Sequence, residues 1–446
     1  MVADFLISYI MNGIMGGKTT PAETSISQTK KGIQQIISRA LKSGATTIHI
    51  EPMGQYVVVR YRRGGTLYQA TTLPKSTASI LARHFKHLAQ LDVSQTRTPQ
   101  SGQFLQHNGR KMCTIQVSTL PVIDGEKLTL TLPSANLVTK SLQGLGLWGD
   151  SLSVIQQALT QPTGLILIAG QQQTGSLAVQ TAVLQLLAQA SLAIAYIGDN
   201  EMPVLAGIKS VKIHPDAGWG FNRYLQVLAK QHFDVIGLST IIDRRTAQTA
   251  IAIAEKGPLV MATIHANTAV QGLLYMQRAT RQLSSIVLTR AIIGNVFVRG
   301  LCSHCREAYM PSTEERQSMQ AVFKIETPAI MQRYHDLEQQ AFGAGLCPEN
   351  ELSNSDGTVS KLWQAHPLGC KFCDNTGYGP QVGLFEVCQP ASALFNALST
   401  QKSLSELQTI AIKAGMISLK IDGFIKTLRG LIDYPTLLKV GEHYGR

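Results

Sequence analysis

The chain lacks any long hydrophobic run. Among its 446 residues, no stretch of about 18 uninterrupted apolar residues occurs, so the sequence predicts no membrane-spanning helix. The first residues, MVADFLISYIMNGIMGG, carry neither a basic leading region nor a small-residue cleavage site. We therefore expect no secretory signal peptide. Two alternatives stay open for this stretch, namely a frayed or partner-packed leader and an amphipathic contact helix.

Acidic residues are scarce. The chain has 28 Asp and Glu against 40 Lys and Arg, which gives a formal net charge of +12. The basic residues are scattered, and the densest group, RYRRGG at Arg60 to Gly65, falls in a strand-turn pattern. Scattered charge disfavours nucleic acid as the partner, because nucleic-acid binding concentrates Lys and Arg in a patch or stripe. An acidic protein or a lipid headgroup surface suits the charge at least as well.

The chain is long enough for two or three domains with cores of their own, and it divides into three blocks. Residues 1–28 end in a stretch rich in Gly, Thr, Ser and Pro and are interpreted as a leader and linker. Residues 29–140 predict an α/β domain, with helices over 30–44 and 77–92 and strands over 47–70. A hairpin is predicted over 112–132, broken by Pro121 and turned at Asp124 and Gly125. The third block begins at about residue 148.

One segment of this third block matches either an ordinary strand that ends in glycine before a helix or a phosphate-binding loop without its reactive side chains. Residues Gly164 to Gly170 form an apolar strand pattern, GLILIAG, and QQQTGSLAVQTAVLQLL continues as a helix. In the pattern G-x-x-x-x-G-K-[ST], Gly170 and Gly175 hold the glycine positions, but Ser176 replaces the lysine and Leu177 the magnesium hydroxyl. Two lost charge-assisted contacts remove on the order of 3–6 kcal/mol. Backbone N–H groups alone remain to attract phosphate.

From these residues onward the chain resembles the RecA-like ATPases of type II secretion and type IV pili, the GspE/PilB/HofB family. The family reads roughly GLILVTGPTGSGKSTT where this chain has GLILIAGQQQTGSLAV, and VEDPVE where it has IGDNEM. Upstream, SGATTIHIEP is similar to RASDIHIEP, with Thr47 in place of aspartate. The resemblance runs from about Ile37 to the C-terminus, with an interruption near 310–362. A further set of family positions matches in order: Asp234, Asp243, Thr246, Ala247, Gly257, Leu259, Val260, Thr263, His265 and Asn267.

The resemblance also implies which acidic and sensor positions are changed. Asp199 is retained, but the acidic residue before it is Gly198, and the Walker B glutamate position is Thr240. His265 corresponds to a γ-phosphate sensor, although a histidine satisfied by neighbouring backbone is the alternative once lysine and glutamate are gone. Asp234 is expected to face a magnesium site, and Asp243 to cap the next helix.

Arginines of the smaller domain are also missing. In relatives, arginines of this domain reach the nucleotide of the ATPase domain and stabilise transition-state charge. By resemblance Arg97 is retained, whereas Gln103, Gln116 and Thr131 replace three others. Compared with the family pattern, this chain therefore lacks the lysine, the magnesium hydroxyl, two acidic residues and three arginines. It keeps the structural glycines and the apolar strands.

Seven cysteines include two C-x-x-C pairs, Cys302 with Cys305 and Cys370 with Cys373, separated by 64 residues. Without a signal peptide, two such pairs predict a zinc site with four cysteine ligands rather than disulfides. The family pattern, CPHC followed later by GCPHCNGTGY, supports this pairing despite the long gap. His304 and Cys347 are interpreted as bystanders, with a role as substitute ligands as the alternative. Cys113 and Cys388 lie in apolar strand patterns and are expected to be core thiols.

The residues and the resemblance together predict an α/β protein. A RecA-like P-loop domain over 148–446 is preceded by a smaller, PAS-like α/β domain over 29–140. The larger domain is expected to contain a zinc-ribbon-type insertion, the four-cysteine zinc module over 302–373, and a helical C-terminal part over 390–446.

The function implied is a degenerate, non-hydrolysing member of the pilus and secretion ATPases, with structural Zn²⁺ and with ATP and Mg²⁺ in doubt as cofactors. It would act in a homo- or hetero-hexamer with a competent paralogous ATPase, next to an inner-membrane platform protein. It would lie in the cytoplasm, peripheral to the inner membrane. One alternative is an active motor that takes its lysine from Lys209, Lys212 or Lys230. Another is an expressed relic without a function.

Overall fold

The computed structural model of the protein describes residues 21–63, 66–108, 111–132, 141–170, 175–198, 205–213, 220–282, 284–325, 327–342, 359–373 and 375–444. The chain separates into two compact units, Met1–Asn136 and Leu137–Arg446. Within the described ranges, no helix is at once long and apolar enough to cross a membrane.

The first unit begins with helix α1 (Pro21–Lys42). Ile33, Ile36, Ile37 and Ala40 are buried at helical spacing, so one face of α1 packs on the core of this unit. Because the helix begins at Pro21, residues 21–28 are helical, and the prediction that they belong to a linker is wrong. Proline favours the first turn of a helix, because its fixed φ suits that turn and the N–H it lacks would have no partner there.

A six-stranded antiparallel sheet completes the first unit, in the order β3-β2-β1-β6-β5-β4. Helix α2 (Thr77–Leu88) packs with α1 on the apolar face of this sheet. The hairpin turn at Asp124 is as predicted, but Pro121 does not break its strand. The neighbouring strand ends opposite Thr119, so Pro121 lies where one side of its strand has no partner. The strands are β1 (Thr47–Met53), β2 (Tyr56–Arg63), β3 (Thr66–Pro74), β4 (Gln100–Asn108), β5 (Lys111–Val122) and β6 (Gly125–Thr131).

The second unit is built on a seven-stranded sheet in the order β15-β12-β7-β11-β10-β8-β9. Six strands are parallel, and β15 pairs antiparallel with β12 at one edge. Strands β7, β8, β10 and β11 are buried along their whole length, as expected for a sheet covered on both faces. The strands are β7 (Gly164–Ala169), β8 (Ile194–Gly198), β9 (Ile208–Lys212), β10 (Val235–Leu238), β11 (Leu259–Ile264), β12 (Thr289–Leu301) and β15 (Tyr378–Cys388).

Helices cover both faces of this sheet. One face packs against α3 (Leu142–Leu145), α4 (Gly149–Leu159) and α5 (Ser176–Ala188). The other face packs against α6 (Phe221–Leu228), α7 (Arg244–Ala254), α8 (Ala269–Thr280), α12 (Ser392–Ser399) and α13 (Leu404–Lys413). A short helix, α9 (Ser284–Val287), leads into β12.

The insertion between the two cysteine pairs has its own packing. It contains the two-stranded sheet of β13 (Glu307–Tyr309) and β14 (Leu362–Gln364) and the helices α10 (Thr313–Phe323) and α11 (Pro328–Phe342). These helices pack on α14 (Leu419–Leu428) and α15 (Tyr434–Tyr444). The ring of Phe323 stacks on Phe424 with centroids 4.2 Å apart, and Tyr334 meets the same ring edge-on at 5.4 Å. The insertion is therefore anchored by apolar contacts as well as by its cysteines.

Candidate functional site

The candidate site lies at the carboxyl ends of the parallel strands. Gly170 directly follows β7, Thr240 follows β10 and His265 follows β11. The backbone N–H of Gly170 donates to Ile264 O at 3.1 Å, which joins the ends of β7 and β11. Because carboxyl ends of parallel strands share one edge of a sheet, these residues meet there, where α/β folds bind ligands. The side chain of His265 is exposed at this edge.

Ser176, at the lysine position, is turned into the protein. Gly175 caps the N-terminus of α5 with φ of +86°, and a Cβ added there would lie 2.2 Å from Phe297 Cδ2. Glycine is therefore required here for two reasons: the positive φ disfavours other residues, and a Cβ would collide with the ring of Phe297. Ser176 is 8% exposed, and its Oγ donates to Asn295 Oδ1 at 3.2 Å. The side chain thus faces β12, and Leu177 beside it is half-buried.

The acidic positions at the same edge are filled by small residues. Gly198 ends β8, and a Cβ added there would lie 2.5 Å from Ser239 Cβ. Thr240, at the Walker B glutamate position, has a buried Oγ1 with no hydrogen-bond partner among the described residues. Asp199 lies outside the described residues, as do residues 171–174 of the loop. At the two positions where the family resemblance implies acidic residues, the described structure therefore has one hydroxyl, at Thr240, and no side chain, at Gly198.

Asp234 and Asp243 occupy quite different places. Asp234 precedes β10 and lies at the amino edge of the sheet, where its Oδ2 accepts a hydrogen bond from Ala193 N at 2.8 Å. The expectation that Asp234 faces a magnesium site is wrong, because that site belongs at the opposite edge. Asp243 caps α7 as predicted, with Oδ1 accepting from Thr246 N at 2.7 Å. This N–H contact lowers the pKa of Asp243 below its usual value.

None of the three lysines named as substitutes has a favourable position. Lys209 is the second residue of β9 and Lys230 follows α6, and both are exposed and lie towards the amino edge. Lys212 ends β9 at the correct edge, but four strand spacings separate β9 from β7. At about 4.8 Å per spacing, that separation is about 19 Å, beyond the reach of a lysine side chain.

The three positions at which the family resemblance implies arginine form one row across the sheet of the first unit. Gln103 on β4 lies directly opposite Gln116 on β5, and Gln116 lies opposite Thr131 on β6. The row continues to Thr47 on β1, where the family resemblance implies aspartate, and to Arg62 on β2. Directly opposite residues share a face of the sheet. Positions that are far apart in the sequence therefore lie side by side on the sheet.

Arg97, the retained arginine, lies in the connection between α2 and β4 and is exposed. It is therefore not part of the row, which is made of strand residues.

The two cysteine pairs converge on one point. The Sγ atoms of Cys302 and Cys370, of Cys305 and Cys373, and of Cys370 and Cys373 are each 3.8 Å apart. All four sulfurs lie within 4.8 Å of one another and could hold a metal ion. Four thiolates around a tetrahedral Zn²⁺ with Zn–S bonds of about 2.3 Å stand about 3.8 Å apart. The described geometry fits such an ion.

Backbone N–H donors favour the thiolate form of one of these sulfurs, which is the form that binds a metal. Cys373 Sγ accepts hydrogen bonds from the N–H of Cys370 at 3.1 Å and of Gly377 at 3.2 Å. Burial acts to raise the pKa of the Cys373 thiol, but these donors outweigh burial and lower it to about 6. His304 lies outside the four-sulfur cluster and stacks on Phe372, with ring centroids 4.1 Å apart.

The other cysteines contribute nothing to the cluster in the described structure. Cys388 is buried at the end of β15, as predicted for a core thiol. Cys347 and the side chain of Cys113 lie outside the described residues.

Sequence reasoning missed two groups of buried charge. Lys426 donates to Gly146 O, Gly383 O and Asp422 Oδ2 at 2.6–2.8 Å, and Asp422 Oδ1 accepts from Trp148 Nε1 at 2.6 Å. Glu386 is buried on β15, and its carboxylate meets backbone N–H groups rather than a cation among the described residues. The available signal for Glu386 was one acidic residue within the apolar strand pattern GLFEV.

Comparison with known proteins shows which sequences this chain resembles. The sequence profile described as type II/IV secretion system protein matches residues 22–438. The type IV pilus assembly ATPase PilB of Pseudomonas aeruginosa is 28% identical over 94% of this chain and 68% of its own length. The type II secretion system protein E of Aeromonas hydrophila is 28% identical over 92% of this chain and 74% of its own length.

Among solved structures, the Legionella pneumophila ATPase DotB superposes with a TM-score of 0.58 at 12% identity, over 92% of this chain and 95% of DotB. At this identity the likeness shows the fold alone. The fold is that of RecA-like ATPases, and the predicted fold class is confirmed.

Proposed function

The chain belongs to the type II/IV secretion system protein family, and from that membership we propose that it is a non-hydrolysing member, a structural or regulatory subunit of such a machine. The observation that carries the proposal is the direction of Ser176. A residue at the lysine position that is buried against Asn295 offers no charge to a β- or γ-phosphate.

The neighbouring positions support the same proposal. Gly198 has no room for a side chain beside Ser239, and Thr240 supplies a hydroxyl where a carboxylate would position the attacking water. Phosphoryl transfer depends almost wholly on positioning and electrostatic stabilisation. Each of these changes would remove one of those contributions.

The row of the first unit adds a second deficiency. If arginines of this unit act on the nucleotide of an adjacent subunit, as family resemblance implies, Gln103, Gln116 and Thr131 cannot supply them. A copy of this chain within a ring would then silence two nucleotide sites, its own and one belonging to its neighbour. We place it in a six-membered ring with a competent paralogue, at the cytoplasmic side of the inner membrane beside a platform protein.

Structural zinc belongs to the same proposal. Cys302, Cys305, Cys370 and Cys373 would hold the ion, which would fix the ends of the insertion without taking part in catalysis.

A mixing experiment tests the regulatory role. A competent paralogue is replaced stepwise by this chain at constant total subunit concentration, and ATP hydrolysis is followed. We expect activity to fall by more than the fraction of subunits replaced, because each copy removes two sites. A variant with Gln103→Arg, Gln116→Arg and Thr131→Arg should inhibit less, by up to half. Activity that is unchanged, or that falls just by dilution of subunits, would contradict the regulatory role.

A further inference from the structure

Glu386 joins the N-termini of two helices that are distant in sequence. Its Oε1 accepts a hydrogen bond from the backbone N–H of Ala269, the first residue of α8, at 2.5 Å. Its Oε2 accepts from the N–H of Leu419, the first residue of α14, at 3.4 Å. Helix N-termini carry free N–H donors and a partial positive charge, so both favour an ionised carboxylate.

The surroundings of Glu386 oppose that ionisation. The side chain is fully buried, and Gly294 of β12 lies directly opposite it, so close that a Cβ there would be 2.7 Å from Glu386 Cγ. Burial raises the pKa of Glu386 to about 7, against the lowering effect of the two N–H donors. Both protonation states are therefore populated near neutral pH.

The described charged groups on the packed elements do not neutralise Glu386. On its own strand the titratable neighbour is the Cys388 thiol, whose pKa is raised by its own burial and by the Glu386 carboxylate. On α14, Asp422 and Lys426 pair with each other at 2.6 Å. On α8 the basic residue of the last turn, Arg278, lies at the other end of the helix from Ala269.

The two hydrogen bonds respond differently to a proton. The contact to Ala269 is short and the contact to Leu419 is long, so a proton is expected on Oε2, the oxygen with the weaker bond. A protonated Oε2 carries no charge and is a poorer acceptor for the N–H of Leu419 than the carboxylate oxygen, so this long bond weakens. Oε1 still accepts from Ala269 in either state.

We infer that Glu386 is a proton-operated clamp: ionised, it holds α8 and α14 together, and protonated, it keeps α8 and releases the first turn of α14. Helix α8 follows the loop that carries His265, and α14 carries Phe424, on which the insertion packs. The proton state of one buried carboxyl therefore sets how firmly the C-terminal helices are tied to the edge of the parallel sheet.

The clamp has two opposite pH signatures. Because the pKa of Glu386 is raised on folding, its contribution to global stability is complete at low pH and is lost as pH rises through about 7. The melting temperature should fall slightly between pH 6 and 8 from this group. Local protection of the first turn of α14 should rise over the same interval, because the ionised carboxylate recovers the bond to Leu419.

Amide hydrogen exchange of the whole protein tests the inference, with rates corrected for intrinsic pH dependence. Peptides covering residues 419–422 should gain about fivefold protection from pH 6 to pH 8, while peptides at 269–272 change little. Glu386→Gln mimics the protonated form, since its amide also carries no charge and is a poorer acceptor than a carboxylate. It should hold low protection at every pH. Glu315→Gln, a capping-box change on α10, is the matched control and should keep the rise.

Two results would overturn the clamp. One is a flat pH profile at residues 419–422 in the unmodified protein, a readout that needs no variant to fold. The other is loss of the rise in Cys388→Ala, which would assign the titration to the thiol rather than to Glu386. Retention of the rise in Cys388→Ala supports the clamp.

Discussion

Ser176 Oγ donates a hydrogen bond to Asn295 Oδ1 across 3.2 Å, which ties the first residue of α5 to the middle of β12. In a working phosphate-binding loop a lysine at this position reaches outward to the phosphates. Here the side chain is short, buried and satisfied from inside the protein. The N-terminus of α5 has become part of the core.

Restoring the two reactive residues should restore binding without restoring catalysis. In Ser176→Lys with Leu177→Thr, the new ammonium cannot stay buried beside Asn295, so it turns towards the open edge. We expect measurable binding of MgATP by calorimetry but hydrolysis still at background, since Thr240 and Gly198 are unchanged. Ser405→Lys, on the exposed side of α13, adds the same charge elsewhere and should bind no nucleotide. Full hydrolysis in the double variant would refute this expectation.

Gly198 should tolerate no side chain as long as Ser239 is present. Gly198→Ala places a Cβ 2.5 Å from Ser239 Cβ. We expect the free energy of unfolding in denaturant to fall by about 1–3 kcal/mol, the usual cost of overpacking. Ser239→Gly should recover most of that loss in the double variant. Gly220→Ala is the control, because nothing lies within 4 Å of its Cβ position and its φ is negative. Equal losses at Gly198 and Gly220 would show that the contact with Ser239 is unimportant.

The cysteine cluster should contain about one Zn²⁺ per chain by metal analysis. Cys370→Ser with Cys373→Ser should lose the metal and lower the melting temperature, because a structural site contributes folding energy directly. Cys388→Ala should keep it. Residues of α10 and α11 should still resist proteases in part after chelation, since Phe323 and Tyr334 pack on Phe424. Metal-free protein with an unchanged melting temperature would refute the site.

Lys426→Met should be among the most destabilising changes in the second unit. It leaves the Asp422 carboxylate buried without its cation, at a cost of about 3–5 kcal/mol in the free energy of unfolding. Burial already raises the pKa of Asp422, and loss of Lys426 raises it further. A raised carboxyl pKa favours the folded state at low pH. The loss in free energy of unfolding caused by Lys426→Met should therefore shrink as pH falls. Unfolding in denaturant at several pH values measures this, and a deficit that grows on acidification would contradict it.

The local elements could be predicted from sequence because each depends on its own residues. Ile33, Ile36 and Ile37 recur at helical spacing and predict α1, in which they are buried. The apolar run before Gly170 predicts the central strand, β7. The edge of the sheet on which Asp234 lies could also be predicted from the sequence, since a residue that directly precedes a parallel strand lies at the amino edge. Agreement with the family in order along the chain does not by itself fix the edge of the sheet at which a residue lies.

Contacts across the fold could not be predicted. The row from Gln103 through Gln116 to Thr131 depends on the register of three strands, which is fixed by long-range pairing. The contact between Gly198 and Ser239, and the turn of Ser176 towards Asn295, likewise join residues distant in sequence. The family resemblance implies which reactive groups are replaced, and the fold shows what the residues at those positions contact.

Steady-state hydrolysis of MgATP by the purified chain tests the proposed absence of catalysis most directly. We expect no turnover above a buffer blank, with the protein shown to be folded by its cooperative melting. Turnover of about 1 s⁻¹, a modest value for enzymes, would contradict that expectation if it disappeared in His265→Ala. Because His265 is exposed, that substitution leaves the core intact and reports on this site.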